Sequence, residues 1–139
     1  MKSQANYNTL NVKTLVADTP QYKIEVLPEN NRAYLTIVGF WRNPEAVSEY
    51  LNDWKHAIKQ LENGFTLLTD ARDMKIHPTS VRPIHEQAQN LIIEAGIRGV
   101  AEVQGSIAEV QLDSVSAQTQ MPKRNFTNPD EAEKWLDSL

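Results

Sequence analysis

Tyr22, Ile24 and Val26 alternate with Lys23, Glu25 and Leu27, the period-two pattern of a half-buried strand. Pro28-Glu29-Asn30-Asn31 is turn chemistry. Ala33-Tyr34-Leu35-Thr36-Ile37-Val38-Gly39-Phe40 then reads as a second, more apolar and more central strand, and the pair is expected as an antiparallel hairpin. The period changes after Phe40. Val47, Tyr50, Leu51, Trp54, Ile58 and Leu61 recur at three- and four-residue spacing, one stripe of an amphipathic helix. Asn43 is its expected N-cap and Pro44 its first residue. Glu45 and Glu49 lie early and Lys55, His56 and Lys59 late, the order that complements the helix dipole. Gly64 follows where a left-handed helix end wants it.

Phe65-Thr66-Leu67-Leu68-Thr69 is a short apolar run ending in Asp70, expected as a buried strand parallel to the second. A loop, ARDMKIHPTS, separates it from a second helix capped by Thr79 or Ser80, with Pro83 confined to the first turn. Val81, Ile84, Ala88, Leu91, Ile92 and Ala95 form that stripe, and Gly96 ends it. Arg98 to Val103 is the expected fourth strand. Residues 106–120 carry two patterns. Ser106 and Glu109 fit a capping box, and Ile107, Val110, Ser114 and Val115 suit a helix, whereas Val110, Leu112 and Ser114 alternate as in a strand. The helix is preferred. Lys123-Arg124-Asn125-Phe126 fits a short edge strand. Asn128, Pro129, Asp130 and Glu131 then start a last helix whose Ala132, Trp135, Leu136 and Leu139 share a face. So short a helix does not persist alone in water, so it must be held by packing, with Trp135 as the expected anchor.

The resulting expectation is an α/β fold: a single-domain mixed β-sheet of four or five strands, an initial hairpin followed by β-α-β alternation, with packed helices. Residues 1–20 are set apart as an N-terminal extension, a short strand or a disordered segment, and residues 21–139 as the domain.

Composition narrows the function without naming it. The 139 residues are 40% hydrophobic and 23% charged, ordinary for a globular chain. A net charge of −4 without a Lys/Arg cluster argues against a nucleic-acid partner. The absence of cysteine removes disulfides and thiolate chemistry. No apolar run is long enough to span a membrane and the polar N-terminus shows no secretory signal, so a cytoplasmic protein is expected. There is no nucleophile elbow, P-loop, dinucleotide fingerprint or zinc spacing. A non-enzyme with no cofactor is expected, and no metal ligands are assigned.

Three candidate sites stand out. Ser80 and Thr79 are candidate phosphoacceptors at a helix start, with ordinary capping as the simpler role. Asp70, Asp73, His77 and His85, with Arg82, form the one dense polar constellation, either a ligand or partner surface or a set of caps and ion pairs. Trp41, beside Arg42 at a strand-to-helix corner, would wall a pocket or partner surface if exposed. Tyr50 and Trp54 read as core, and His56 as solvated.

Three stretches resemble the SpoIIAA-like branch of the STAS superfamily: the hairpin leading through Gly39-Phe40 into a long amphipathic helix, the strand and loop LLTDARDM, and the tail FTNPDEAEKWL. The resemblance covers roughly residues 20–139. It implies a protein-interaction or regulatory module like the anti-sigma-factor antagonists, in which a serine at the start of the helix after the third strand is phosphorylated by a partner kinase. Thr79 and Ser80 occupy about that place, but the family's Asp-Ser-Ser-Gly motif is absent. The expected partner is another protein, or a second copy in a homo-oligomer. By analogy with lipid carriers of related architecture, the alternative is a carrier or sensor of a small apolar or lipid-like ligand.

Overall fold

In the computed structural model, which describes residues 12–105 and 109–139, six strands form one mixed sheet in the order of the sequence. They are β1 (Thr14–Asp18), β2 (Tyr22–Leu27), β3 (Arg32–Gly39), β4 (Thr66–Met74), β5 (Gly99–Gln104) and β6 (Lys123–Phe126). β1, β2 and β3 pair antiparallel, and β3 to β6 run parallel. Helices α1 (Tyr50–Ile58), α2 (Arg82–Glu94) and α3 (Glu109–Thr119) make the three parallel crossovers, and α4 (Pro129–Asp137) follows β6. Each crossover moves one strand position in the same direction. With the usual right-handed connection, all three helices then fall on one face of the sheet.

The packing has that form. Ile24, Leu35, Leu67 and Val100 of the strands share one core with Tyr50, Trp54, Ala88, Ile92 and Leu112 of the three crossover helices. Alternation sends Leu68, Ala101 and Val103 to the opposite face. There Ala132 and Leu136 of α4 cover them, so the terminal helix closes a second core. Asn128 Oδ1 caps it, accepting from the N–H of Asp130 at 2.7 Å and of Glu131 at 3.3 Å. Arg32, buried at the start of β3, donates to Thr66 Oγ1 at 2.8 Å and pairs with Glu133 at 2.6 Å and Asp137 at 3.0 Å, stapling α4 to the sheet.

Several expectations change. The sheet has six strands rather than four or five: Lys123–Phe126 pairs with β5 as the expected edge strand, and the sixth is Thr14–Asp18, within the stretch set apart as a short strand or disordered segment, which pairs with β2. The remainder of that stretch, residues 1–11, lies outside the described residues. β4 runs on through Asp70 to Met74, into the expected loop, because β3 continues to pair with it across a bulge between Thr36 and Val38. Asn43 caps as expected, accepting from Ala46 N at 2.9 Å, but what it caps is a 3-10 turn over Pro44–Val47 that precedes α1. Thr79 and Ser80 cap nothing: both are exposed in a 3-10 turn, and neither end of it carries a side-chain cap.

α3 is a helix, as preferred, but it buries Leu112, Val115 and Ser116, while Ser114 faces out to Arg82. The expected capping box needs Ser106, outside the described residues. Finally, Trp135 is not the deepest anchor of α4. It is half-buried, tilted against Phe126 with ring centroids 5.7 Å apart, whereas Ala132 and Leu136 are buried completely or nearly so.

Truncation should follow that ranking. Leu136→Ala is expected to cost about 2–5 kcal/mol in urea unfolding, the range for a buried leucine. Trp135→Ala should fall below the roughly 3–5 kcal/mol of a fully buried aromatic. A larger loss at Trp135 than at Leu136 would return the anchor to the tryptophan.

Candidate functional site

β3 leaves the sheet at Gly39, whose φ of +69° is in the left-handed region that a glycine adopts without strain. After this turn Phe40 points out, 56% exposed, and Trp41 is buried completely. The end of β4 repeats the arrangement. Lys75 N donates to Gly39 O at 3.0 Å, carrying the ladder one residue beyond the strands, and then Ile76 points out, 58% exposed, while His77 turns in. Two adjacent strand ends thus each present one large apolar side chain outward and one ring inward.

The inward rings meet a third from α2. His77 Nδ1 lies 3.0 Å from His85 Nε2, and His77 Nε2 lies 3.1 Å from Gly39 O. Trp41 stacks over both imidazoles, with centroids 4.7 and 4.9 Å away, and donates its own Nε1–H to Gln21 O at 2.9 Å. Tyr50 meets Trp41 edge-on at 5.0 Å. Gln111 of α3 holds the His77 backbone at both ends, accepting from its N–H at 2.9 Å and donating to its C=O at 2.7 Å. A carbonyl only accepts, so His77 Nε2 carries the proton. In the neutral ring Nδ1 is then bare and must accept from His85 Nε2–H. Burial depresses both imidazoles below their usual range, and His85, with the neighbouring His77 adding to the effect, falls to about 3. Both are neutral at pH 7.

The expected polar constellation therefore divides. His77 and His85 come together, but buried, and so does Trp41; at 3%, 4% and 0% exposure none of the three presents a surface to a partner. Asp70 turns to Arg72, accepting from its N–H at 3.1 Å and from its guanidinium at 3.0 and 2.8 Å, and this hydrogen bonding holds the carboxyl below its usual range. Asp73 is exposed. Arg82 is engaged by Glu86 at 3.1 Å and Ser114 Oγ at 3.0 Å. Among the described residues no three acids or histidines are grouped to hold a metal.

Sequence reasoning passed over Phe40, Ile76 and Gln111. The alternation out-then-in after each strand was the available signal for the first two. It also missed a buried ion cluster shared by β5, β6 and α3. Glu102, 3% exposed on β5, accepts from Lys123 Nζ at 3.2 Å and from Gln104 Nε2, and Lys123 also reaches Asp113 at 2.6 Å. Burial raises the Glu102 carboxyl above its usual range despite the lysine. No helix among the described residues is long and apolar enough to cross a membrane. Comparison with protein-family models, with curated proteins and with solved structures finds no match.

The histidine pair predicts an acid-sensitive fold. Between the ordinary imidazole pKa of 6.5 and the folded value of about 3, the unfolded chain takes up a proton at position 85 that the folded chain does not. This contribution to stability is complete above pH 6.5 and falls as the pH drops toward 3. Urea midpoints measured from pH 7 down to pH 4.5 should fall more steeply for the wild type than for His85→Gln. Parallel profiles would mean that the pair is not held neutral.

Proposed function

We propose that this chain is a non-enzymatic protein-interaction module of the SpoIIAA-like STAS kind, which engages another protein at the carboxyl edge of β3 and β4. The observation that carries this reading is the outward pair Phe40 and Ile76, 56% and 58% exposed on adjoining strand ends. Singly, exposed apolar residues need no explanation. These two sit on backbones joined by the Lys75–Gly39 hydrogen bond and backed by Trp41, His77 and His85, so they are held in place before any partner arrives. Preorganisation of this sort reduces the ordering cost of association.

In the same reading Ser80 and Thr79 are the regulatory hydroxyls. They are exposed beside this edge in the chain and are not used as caps. Phosphorylation would add about −1.5 to −2 charge units there. Exposed Lys75 is near in sequence, whereas Arg82 is already engaged. The alternative, a carrier of an apolar ligand between sheet and helices, has less support. Ligand pockets measure about 300–1,000 Å³. Among the described residues the space between the sheet and its crossover helices is about 30 Å³, and the larger clefts beside α4, about 300 and 560 Å³, are lined largely by charged and polar side chains such as Lys13, Asp70, Glu133, Arg124 and Glu131.

A photoreactive phenylalanine analogue at position 40, introduced in the organism's own cells, should cross-link one discrete protein or a second copy of the chain. The cross-link should weaken with Ile76→Asp, and the same probe at exposed His56 should not form it. Equal yields at positions 40 and 56 would contradict the proposed surface. Ser80→Asp is expected to reduce the cross-link several-fold, and an unchanged yield would remove the switch.

A further inference from the structure

Between the central strands and helices α2 and α3 lies a buried space of about 30 Å³, and its lining is not wholly apolar. Ile92, Leu112 and neighbouring side chains form its greasy wall, but Thr69, His85, Gln89 and Glu102 also face it. The sheet register explains why they meet. Thr69 of β4 is directly opposite Glu102 of β5, on the face that α2 covers with His85 and Gln89. All four are at least nine-tenths buried, with exposures of 4%, 4%, 7% and 3%.

Their hydrogen bonds to the described residues leave capacity on each. Lys123 and Gln104 both donate to Glu102 Oε2, so Oε1 keeps its lone pairs. Gln89 Oε1 accepts from Thr119 Oγ1 at 2.5 Å, leaving its amide N–H groups to donate. His85 Nε2–H is used on His77, so Nδ1 is a bare acceptor. Thr69 brings a hydroxyl that can act either way. A carboxylate oxygen facing an apolar wall in a low dielectric is costly without a donor. Among the described residues no hydrogen bond joins these four groups to one another, and a small molecule with two donors and two acceptors placed between them would bridge them. A single water needs about 10–15 Å³ of such space and two to four polar partners. The space here admits one water, or two at most.

We propose that this space is a structural water site, in which an internal water donates to Glu102 Oε1 and accepts from the Gln89 amide, with Thr69 and His85 completing its shell. The site joins the two buried polar clusters. From the Gly39 carbonyl the chain of hydrogen bonds runs through His77 and His85 to the water, and on through Glu102 and Lys123 to Asp113 at the surface. The proposed partner surface and the β6 edge would then share one hydrogen-bonded interior. This inference does not depend on the interaction reading, and its test does not involve a partner.

Water-selective ROESY on methyl-labelled protein tests it. Cross-peaks from water to the methyls of Ile92 and Leu112 are expected, with no such peaks at tightly packed Val26, and Gln89→Leu should abolish them. Absence of the peaks in the wild type, or their survival in Gln89→Leu, would overturn the proposal. Should that variant fail to fold, a high-resolution crystal structure of the wild type decides. Density within hydrogen-bond reach of Glu102 Oε1 and Gln89 Nε2 is expected, and a dry or collapsed space would contradict the site.

Discussion

The carboxyl edge of this sheet depends on one hydrogen bond between two uncharged imidazoles. His77 comes from the loop after β4 and His85 from the first turns of α2, and the bond between them at 3.0 Å holds both against the end of β3 through Gly39. A buried charge in either ring would be costly without an anionic partner. Neither ring has one in contact: Asp70 is paired with Arg72, and Glu102, which faces His85 across the small buried space, is paired with Lys123. The pair is therefore stable only while neutral. Trp41, stacked across both rings, shields them from bulk solvent on that side. Phe40 and Ile76 are the outward neighbours of these inward rings, so the packing that fixes His77 and Trp41 also fixes the exposed residues on which the interaction reading rests.

The sheet order sets the rest of the architecture. Because each parallel crossover advances by one strand, α1, α2 and α3 all lie on one face, and the other face of β4 and β5 would be bare without α4. The last helix is thus half of a two-sided core. Its attachment combines apolar burial at Ala132 and Leu136 with the charged staple of Arg32 to Glu133 and Asp137. Since Arg32 is nearly inaccessible and its carboxylate partners are not, the arginine gains its counter-charges at the cost of little further desolvation.

Local signals carried much of this. The alternation of Tyr22, Ile24 and Val26, the stripe through Trp54, the Pro83 near a helix start and the Asn128-Pro129 cap all act within a few residues, and each led to an element that exists. What was not legible depends on distant partners. Thr14–Asp18 becomes a strand only because β2 offers an edge, and Asp70 to Met74 stay extended because β3 runs alongside. Thr79 and Ser80 looked like caps because capping chemistry is local, but Pro78 and Val81 occupy those places. The histidines were the hardest to read. In the sequence His77 and His85 are polar residues of a loop and a helix. Only the fold brings Trp41, thirty-six positions before His77, over both rings and turns a suspected surface into core.

The most direct test of the account is the protonation state of the two rings. Long-range 1H–15N correlation spectra of imidazole-labelled protein report it for each nitrogen. At pH 7 both His77 and His85 are expected to be neutral with the proton on Nε2, and His85 is expected to remain so at pH 5. An imidazolium at either ring at pH 7, or an Nδ1–H tautomer at His77, would contradict the neutral pair and with it the rigid edge that the proposed function requires.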